Sequence, residues 1–429
     1  MYKKEKRKVA SFPITGDEKI LKKKMLDWCN QFSIFSFLDS CGYKDQYGCY
    51  DCIAAAGAEK IFSGSLLQLH QLFEENNDWL FGHFSYDAVH SRDEKKMQGG
   101  FESIFFFQPQ VVLIIKNKKL IIETISGQPE EVFREILLHE RILLKPGNKE
   151  KIHIRSDVER DEYISIIQQL QKHIQRGDCY EINFCLRFFA ENYLMNPLLV
   201  FNNLTQESPN PFSCFYKNEH QFLLCASPER FLQKAGDRII TQPIKGTARR
   251  YLNDESKDAL QKKSLLESQK ERSENVMAVD LSRNDLSIIC EEGSVHVSEL
   301  YGIYTFPQVY QMISTVVGKL PQHINLATII DATFPMASMT GAPKKKVMEF
   351  IEQYEKTSRG IFSGTVGYIT PNNNFDFNVV IRSIIYNDKT NELSFPVGGG
   401  ITWLSEPESE WEECLLKSMA IRKILENQV

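Results

Sequence analysis

Hydrophobic and polar positions along this chain change period several times, and each change predicts an element. From Tyr163 through Ile167, Leu170 and Ile174 the apolar residues recur at helical spacing. With Ser156-Asp-Val-Glu159 read as a capping box and Gly177 as the stop, this predicts a helix over about 157–176. The period then drops to two. Tyr180, Ile182, Phe184, Leu186 and Phe188 alternate with Glu181, Asn183, Cys185 and Arg187, which predicts a strand with one apolar and one polar face. Shorter runs over 222–226, 238–242, 361–369, 375–386 and 393–402 read as further strands, and 254–282, 342–356 and 406–426 as helices.

Before residue 150 the pattern is choppier. Apolar runs at Phe32 to Leu38, Trp79 to Tyr86, Phe105 to Ile115 and Leu120 to Ile125 are separated by Gly-, Asn- and Lys-rich turns, as in a sheet carrying a few helices. The polar stretch Lys145-Pro-Gly-Asn-Lys-Glu-Lys151 reads as a linker, dividing the chain into 1–150 and 151–429. Because strands and helices do not alternate strictly, an α+β arrangement is expected over a Rossmann or barrel order.

The chain has 429 residues, 42% of them hydrophobic, enough for a substantial core. A formal charge of −5 supplies no basic field for nucleic acid or an anionic membrane. The charged start, Met1 to Lys8, is followed by no apolar segment of leader or membrane-spanning length, so a cytoplasmic location is expected. Ten cysteines without an export signal are read as reduced thiols. Cys49 and Cys52 have metal-like spacing, but a zinc site needs two more ligands and Cys29 and Cys41 are loosely placed for it.

Candidate chemistry concentrates in the second part. In Thr241-Gln-Pro-Ile-Lys245-Gly-Thr247, Pro243 fixes one dihedral and Gly246 permits an unusual one, so the loop can bring the Lys245 amine to a small molecule. Glu410, Glu413 and Lys417 fall within about 60° of one another on the last helix, just after Gly398-Gly-Gly400, where backbone or ligand can pass closely. Taken alone this is a solvated stripe with one Glu413–Lys417 pair worth about 0.3–0.5 kcal/mol. Lys344, Lys345 and Lys346 open a helix whose positive end they oppose, an arrangement that a carboxylate ligand would relieve. Should Glu274, Glu410 and Glu413 converge, they form an all-oxygen site suited to Mg²⁺. Glu229 follows Ala226-Ser-Pro228. No Gly-x-Ser-x-Gly or Gly-x-Cys-x-Gly nucleophile elbow is present.

Six segments in order resemble one family, the chorismate-utilising enzymes. They are Pro243–Thr247, Glu274–Asp285, Phe334–Lys344, Arg359–Tyr368, Val380–Arg382 and Gly398–Lys417. The likeness covers about 155–425, and is weaker at Phe37-Leu-Asp-Ser40 and Phe81–Asp87. It implies two facing antiparallel sheets with outer helices, and a cleft for chorismate and Mg²⁺. By the same resemblance Glu274 and Glu413 hold Mg²⁺ with help from Glu410, and Arg382 clamps the side-chain carboxylate. Lys417 and the Gly398, Gly399 and Gly400 backbone seat the ring carboxylate. Glu229 protonates the departing C4 hydroxyl, and Thr247 contacts ring substituents. Thr340 and Gly341 lie in the matching substrate-binding segment.

The family divides at Lys245. The aminodeoxychorismate synthases have Pro-Ile-Lys-Gly-Thr where anthranilate synthases have Ala, so the resemblance implies amination of chorismate at C4 on the way to p-aminobenzoate and folate. Lys245 would act as nucleophile, its pKa depressed by burial or nearby cations, or only electrostatically. Ammonia would come from a separate glutamine amidotransferase subunit. Alternatives are an anthranilate synthase component I, with tryptophan bound near Ser40, and a chorismate-binding regulatory paralogue. Three positions depart from the family: Glu181 for a usual Gln or Lys, Gln311 for His, and Phe362 for Tyr.

Overall fold

A computed structural model describes residues 7–88, 100–139 and 152–426; the expected linker at 145–151 and the division at 150 lie outside the described residues. The first part runs β1 (Lys8–Pro13), α1 (Glu18–Cys29), β2 (Ile34–Asp39), β3 (Cys52–Ser63), α2 (Leu66–Asn76), β4 (Leu80–Phe84), β5 (Ile104–Lys116), β6 (Lys119–Thr124) and α3 (Pro129–Leu138). Next come β7 (Arg155–Ser156), α4 (Arg160–Gln175), β8 (Glu181–Ala190), α5 (Pro197–Glu207), β9 (Phe212–Asn218), β10 (Gln221–Ser227), β11 (Arg230–Ala235), β12 (Arg238–Gln242) and β13 (Ile244–Arg249). After these come α6 (Glu255–Glu267), α7 (Gln269–Ile289), β14 (His296–Thr305), β15 (Val309–Lys319), α8 (Leu326–Thr333), β16 (Gly341–Ala342) and α9 (Lys344–Tyr354). The chain ends with β17 (Thr365–Ile369), β18 (Phe375–Asn378), β19 (Ser383–Asn387), β20 (Glu392–Ile401) and α10 (Pro407–Glu426).

Among the described residues every strand pairing is antiparallel. One ladder runs β1-β6-β5-β3-β2-β9-β10-β19-β20-β8, and the other β5-β4-β17-β18-β11-β12-β15 with β13 and β14 on β15. β5 belongs to both. Its residues 111–116 pair with β6 and its residues 104–107 with β4, while β3 carries a register shift between Ala58 and Lys60 opposite Pro109. A bulge of this kind bends a strand and lets one ladder turn into the next.

Side-chain alternation then sorts the core. Ile53, Tyr216 and Leu223 from the first ladder share one apolar cluster with Phe84, Phe231, Val366 and Phe377 from the second. Their neighbours in sequence, Ala54, Phe215 and Leu224, point the other way and pack with Met25, Leu170, Leu204 and Ile421 of the helices. Two antiparallel sheets therefore face each other with helices outside, as expected for the α+β class.

Several boundaries differ from the periodic reading. α4 begins at Arg160, and Glu159 rather than Ser156 is its N-cap, so no capping box forms there; Ser156 is spent in β7. Tyr180 is 67% exposed and precedes β8 instead of joining its apolar face. The single helix expected over 254–282 is two, because Ser268 ends α6 and caps α7 through Glu271 N–H. The strand expected over 375–386 breaks at 379–382, where Arg382 takes a left-handed φ of 51°. All ten cysteines are free thiols.

Candidate active site

The expected residues meet where the ends of β8, β13 and β20 face the N-terminal halves of α7 and α10. β8 is fixed first. Arg359, itself buried, donates to Asn183 O at 2.7 Å and Met339 O at 2.6 Å, while Glu355 holds the guanidinium at 2.7 Å and accepts from Cys185 N at 2.9 Å. Breaking such a buried pair costs about 3–5 kcal/mol, so the Arg359 motif is a clamp on the site's wall. Gly341 lies against the same strand, where a Cβ would stand 2.0 Å from Glu181 O. Thr340 spends its hydroxyl on Met336 O at 3.1 Å, and its carbonyl accepts from Asn183 N at 2.7 Å.

Lys245 arrives by a bulge. The register of β13 against β15 shifts between Ile244 and Thr247, which lifts 245 and 246 out of the ladder, and Gly246 adopts φ 93°. The expected conformational freedom at Gly246 is thus used. Lys245 Nζ lies 2.6 Å from Glu181 Oε1, with the two side chains 11% and 5% exposed. Burial pulls the lysine's pKa down, but the charges of Glu181, Glu274 and Glu229 outweigh it and hold it above the ordinary lysine range. The depressed value expected for a resting nucleophile is absent, because carboxylates rather than cations surround the amine.

Glu229 is 3% exposed and directly precedes β11. Burial pushes its pKa up to about 7, against the opposing pull of Ser338, the Ile244 N–H, Lys245 and Arg382. Arg382 is partly exposed; desolvation of its guanidinium depresses its value and Glu229 opposes the shift. Thr247 is exposed and pairs in register with Gln311, which is wholly buried with neither amide atom hydrogen-bonded.

On the opposite wall, Glu274 of α7 is buried, and burial lifts its pKa to about 7. Its Oε1 has no hydrogen-bond partner. Glu410 of α10 is also buried, with its value raised by burial and lowered by Ser405. For Glu413, burial is outweighed by Lys417, Lys270 and Lys245, so its value falls. Lys417 bridges Glu413 at 2.8 Å and Gly398 O at 2.7 Å. The pair read from spacing forms, and it also ties α10 to the glycine strand. A Cβ on Gly399 would meet Glu410 at 3.2 Å, and one on Gly400 would meet Glu181 Oε1 at 2.6 Å and Lys245 Nζ at 3.1 Å.

Among the described residues no three His, Cys, Asp or Glu side chains stand close enough for a ready metal cage. The donor set nonetheless fits a cation that keeps its own waters and takes few protein oxygens: Glu274 presents a buried acceptor oxygen with no donor facing it. Glu274, Glu410 and Glu413 all act on Lys270 in the first turn of α7. Sequence reading missed Lys270, although Lys270 and Glu271 come directly after the cap Ser268 and its neighbour Gln269. It also missed Ser338.

Lys344 pairs with buried Asp285 at 2.5 Å and Lys346 with Glu349 at 2.8 Å. Two of the three lysines at that helix start are therefore paired within the chain, and Lys345 is exposed. Leu38 and Ser40 border a small cavity of about 80 Å³ closed by Tyr50, Phe212, Arg230 and Asp376. No described helix is long and apolar enough to cross a membrane.

A sequence profile described as chorismate binding enzyme matches residues 40–423. Aminodeoxychorismate synthase component 1 of Klebsiella aerogenes is 39% identical over 273 residues, 64% of this chain and 60% of that protein. Anthranilate synthase component 1 of Aquifex aeolicus is 34% identical over 63% of this chain and 54% of that protein. The match thus spans less than two thirds of these curated relatives. The menaquinone-specific isochorismate synthase structure from Escherichia coli superposes with a TM-score of 0.78 at 17% identity, covering 98% of this chain and 94% of that one.

Proposed function

This chain belongs to the chorismate binding enzyme family, and on that premise we propose that it is the component I of an aminodeoxychorismate synthase, aminating chorismate at C4. The observation that carries the reading is Lys245, a primary amine whose side chain is only 11% exposed, delivered by a bulge toward the protonatable Glu229. The likeness to aminodeoxychorismate synthases of Klebsiella and other bacteria supports it.

In this reading Arg382 clamps the side-chain carboxylate, and Lys417 with the Gly398–Gly400 backbone seats the ring carboxylate. Thr247 contacts ring substituents from β13. Glu274 and Glu413, helped by Glu410, would hold Mg²⁺, which when bound supplies positive charge to the ring carboxylate. Glu229 gives its proton to the departing C4 hydroxyl, which leaves as water. The Lys245 amine attacks C2 as that bond breaks. Ammonia then attacks C4 and expels the lysine. The ammonia would come from glutamine through a separate amidotransferase subunit.

Mass-resolved product analysis of the purified chain with chorismate, Mg²⁺ and an ammonium salt tests this. Aminodeoxychorismate without pyruvate is expected. Anthranilate with pyruvate would overturn the reading in favour of the second one, anthranilate synthase component I, which the Aquifex likeness keeps in view.

A further prediction concerns Gly400. Its missing Cβ leaves room for the Glu181–Lys245 pair, so Gly400→Ala should displace the amine by a fraction of an ångström. Turnover should fall roughly 100-fold, while thermal stability changes little because the displaced atoms are side-chain ends. Steady-state kinetics beside a melting curve checks both.

A further inference from the structure

We propose that Glu181 is a further catalytic residue, the base that takes the proton from the Lys245 ammonium and frees the amine for attack. The proposal rests on the reading of Lys245 as nucleophile.

An ammonium has no lone pair, so a lysine that rests protonated cannot attack until its proton has somewhere to go. Five carboxylates act on it: Glu181 from β8, Glu274 and Glu271 from α7, Glu229 before β11, and Glu413 from α10. Glu229 holds a proton that the leaving hydroxyl needs. Glu274 is the acid suited to a metal. Glu413 is already paired with Lys417. Glu181 is the one in contact, with Oε1 2.6 Å from Nζ, and among the described residues Lys245 is the one hydrogen-bond partner of its carboxylate.

The pair is also built to stay together. β8 is clamped by Arg359, β16 pairs Ala342 with Glu181, and Gly400 leaves the pair its space. Both side chains are nearly sealed from water. Substrate entering the cleft removes more water, and a less polar surrounding favours the neutral carboxylic acid and amine over the ion pair.

The proton balance closes. The ammonium of Lys245 and the carboxylate of Glu181 become amine and carboxylic acid. The amine bonds to C2 while the C4–O bond breaks, the hydroxyl leaving as water with the Glu229 proton. Ammonia bonds to C4 as the C2–N bond breaks, and the freed amine recovers its proton from Glu181. The new C4 ammonium returns a proton to Glu229. The net change is chorismate and ammonia to aminodeoxychorismate and water.

The test compares the wild-type full chain with Glu181→Gln, using chorismate, Mg²⁺ and ammonium chloride, with kcat and KM measured from neutral to alkaline pH. At neutral pH kcat of the variant should fall about 100-fold, with KM for chorismate within about twofold. The ratio of variant to wild-type kcat should rise tenfold per pH unit, since the variant loses the lysine proton to solvent. Taking the ratio cancels the Glu229 limb, which both proteins share. A variant with wild-type kcat and pH profile, or a loss confined to KM, overturns the proposal. Wild-type chain that forms no aminodeoxychorismate overturns the underlying reading instead. Should Glu181→Gln fail to fold, Glu181→Asp, which draws the carboxylate back from the amine, must show the same kcat loss with KM unchanged.

Discussion

Glutamine in place of Glu229 should lower turnover by about 100-fold to 10,000-fold and leave chorismate affinity nearly unchanged. The side chain is almost completely buried, and desolvation lifts its pKa to about 7, so at neutral pH a large share carries the proton an acid must donate. This sets the sign of the pH dependence. Wild-type activity is present below that value and declines as pH rises through it, because deprotonated Glu229 has nothing to give. The glutamine variant should lack this decline. Turnover measured across pH, with calorimetric titration of chorismate, checks both parts. Near-normal turnover would remove Glu229 from the acid role.

Lys245→Ala should have an effect of similar size, for a different reason. It removes the attacking amine and strands Glu181, a carboxylate only 5% exposed whose partner stood 2.6 Å away. Amination should fall about 100-fold to 10,000-fold. Stability should fall by about 3 kcal/mol, because the buried carboxylate loses its partner. Adding Glu181→Gln to Lys245→Ala should restore the melting temperature without restoring activity, since it removes the unpaired charge and not the missing nucleophile. An unchanged rate and product in Lys245→Ala would sink the nucleophile reading.

Much of the sheet was legible because alternation is a local signal. The alternation read over 180–188 holds from Ile182, since Ile182, Phe184, Leu186 and Phe188 all pack into the core on the helix side. Helix starts were less secure. Ser156-x-x-Glu159 has the form of a capping box and is none, whereas Ser268-x-x-Glu271 has the same form and does split the helix. Tertiary packing separates the two: Ser156 is drawn into a pairing with Phe188 of β8, while Ser268 is left free to cap. Arg382 could not be foreseen as a break, because its left-handed backbone has no glycine to announce it.

The site was legible as residue types and not as partners. Lys245, Glu229, Glu274, Glu410 and Glu413 stood out by spacing and resemblance, and the fold brings their elements together. That Glu181 would be the partner of Lys245 depends on a bulge in β13, a two-residue bridge between β8 and β16, and the bare backbone of Gly400. None of these is visible in a window of neighbouring residues. The expectation of a lowered lysine pKa failed for the same reason: burial was inferable, and the identity of the charges sharing that burial was not.

The shared strand β5 also has a consequence for how the chain reaches this state. β2 must pair with β9, whose residues are made some 180 positions later on average, and β4 must await β17, later still. Loop-closure entropy makes such distant partners slow to find. A nascent chain that has emerged only through β6 would carry two ladders' worth of open edges, at Ile34–Asp39 and Leu80–Phe84, and exposed edges recruit other chains. Yield from synthesis should therefore depend on how quickly β9 and β17 follow the first part of the polypeptide, and slowing translation after β6 should harm recovery more than slowing it before.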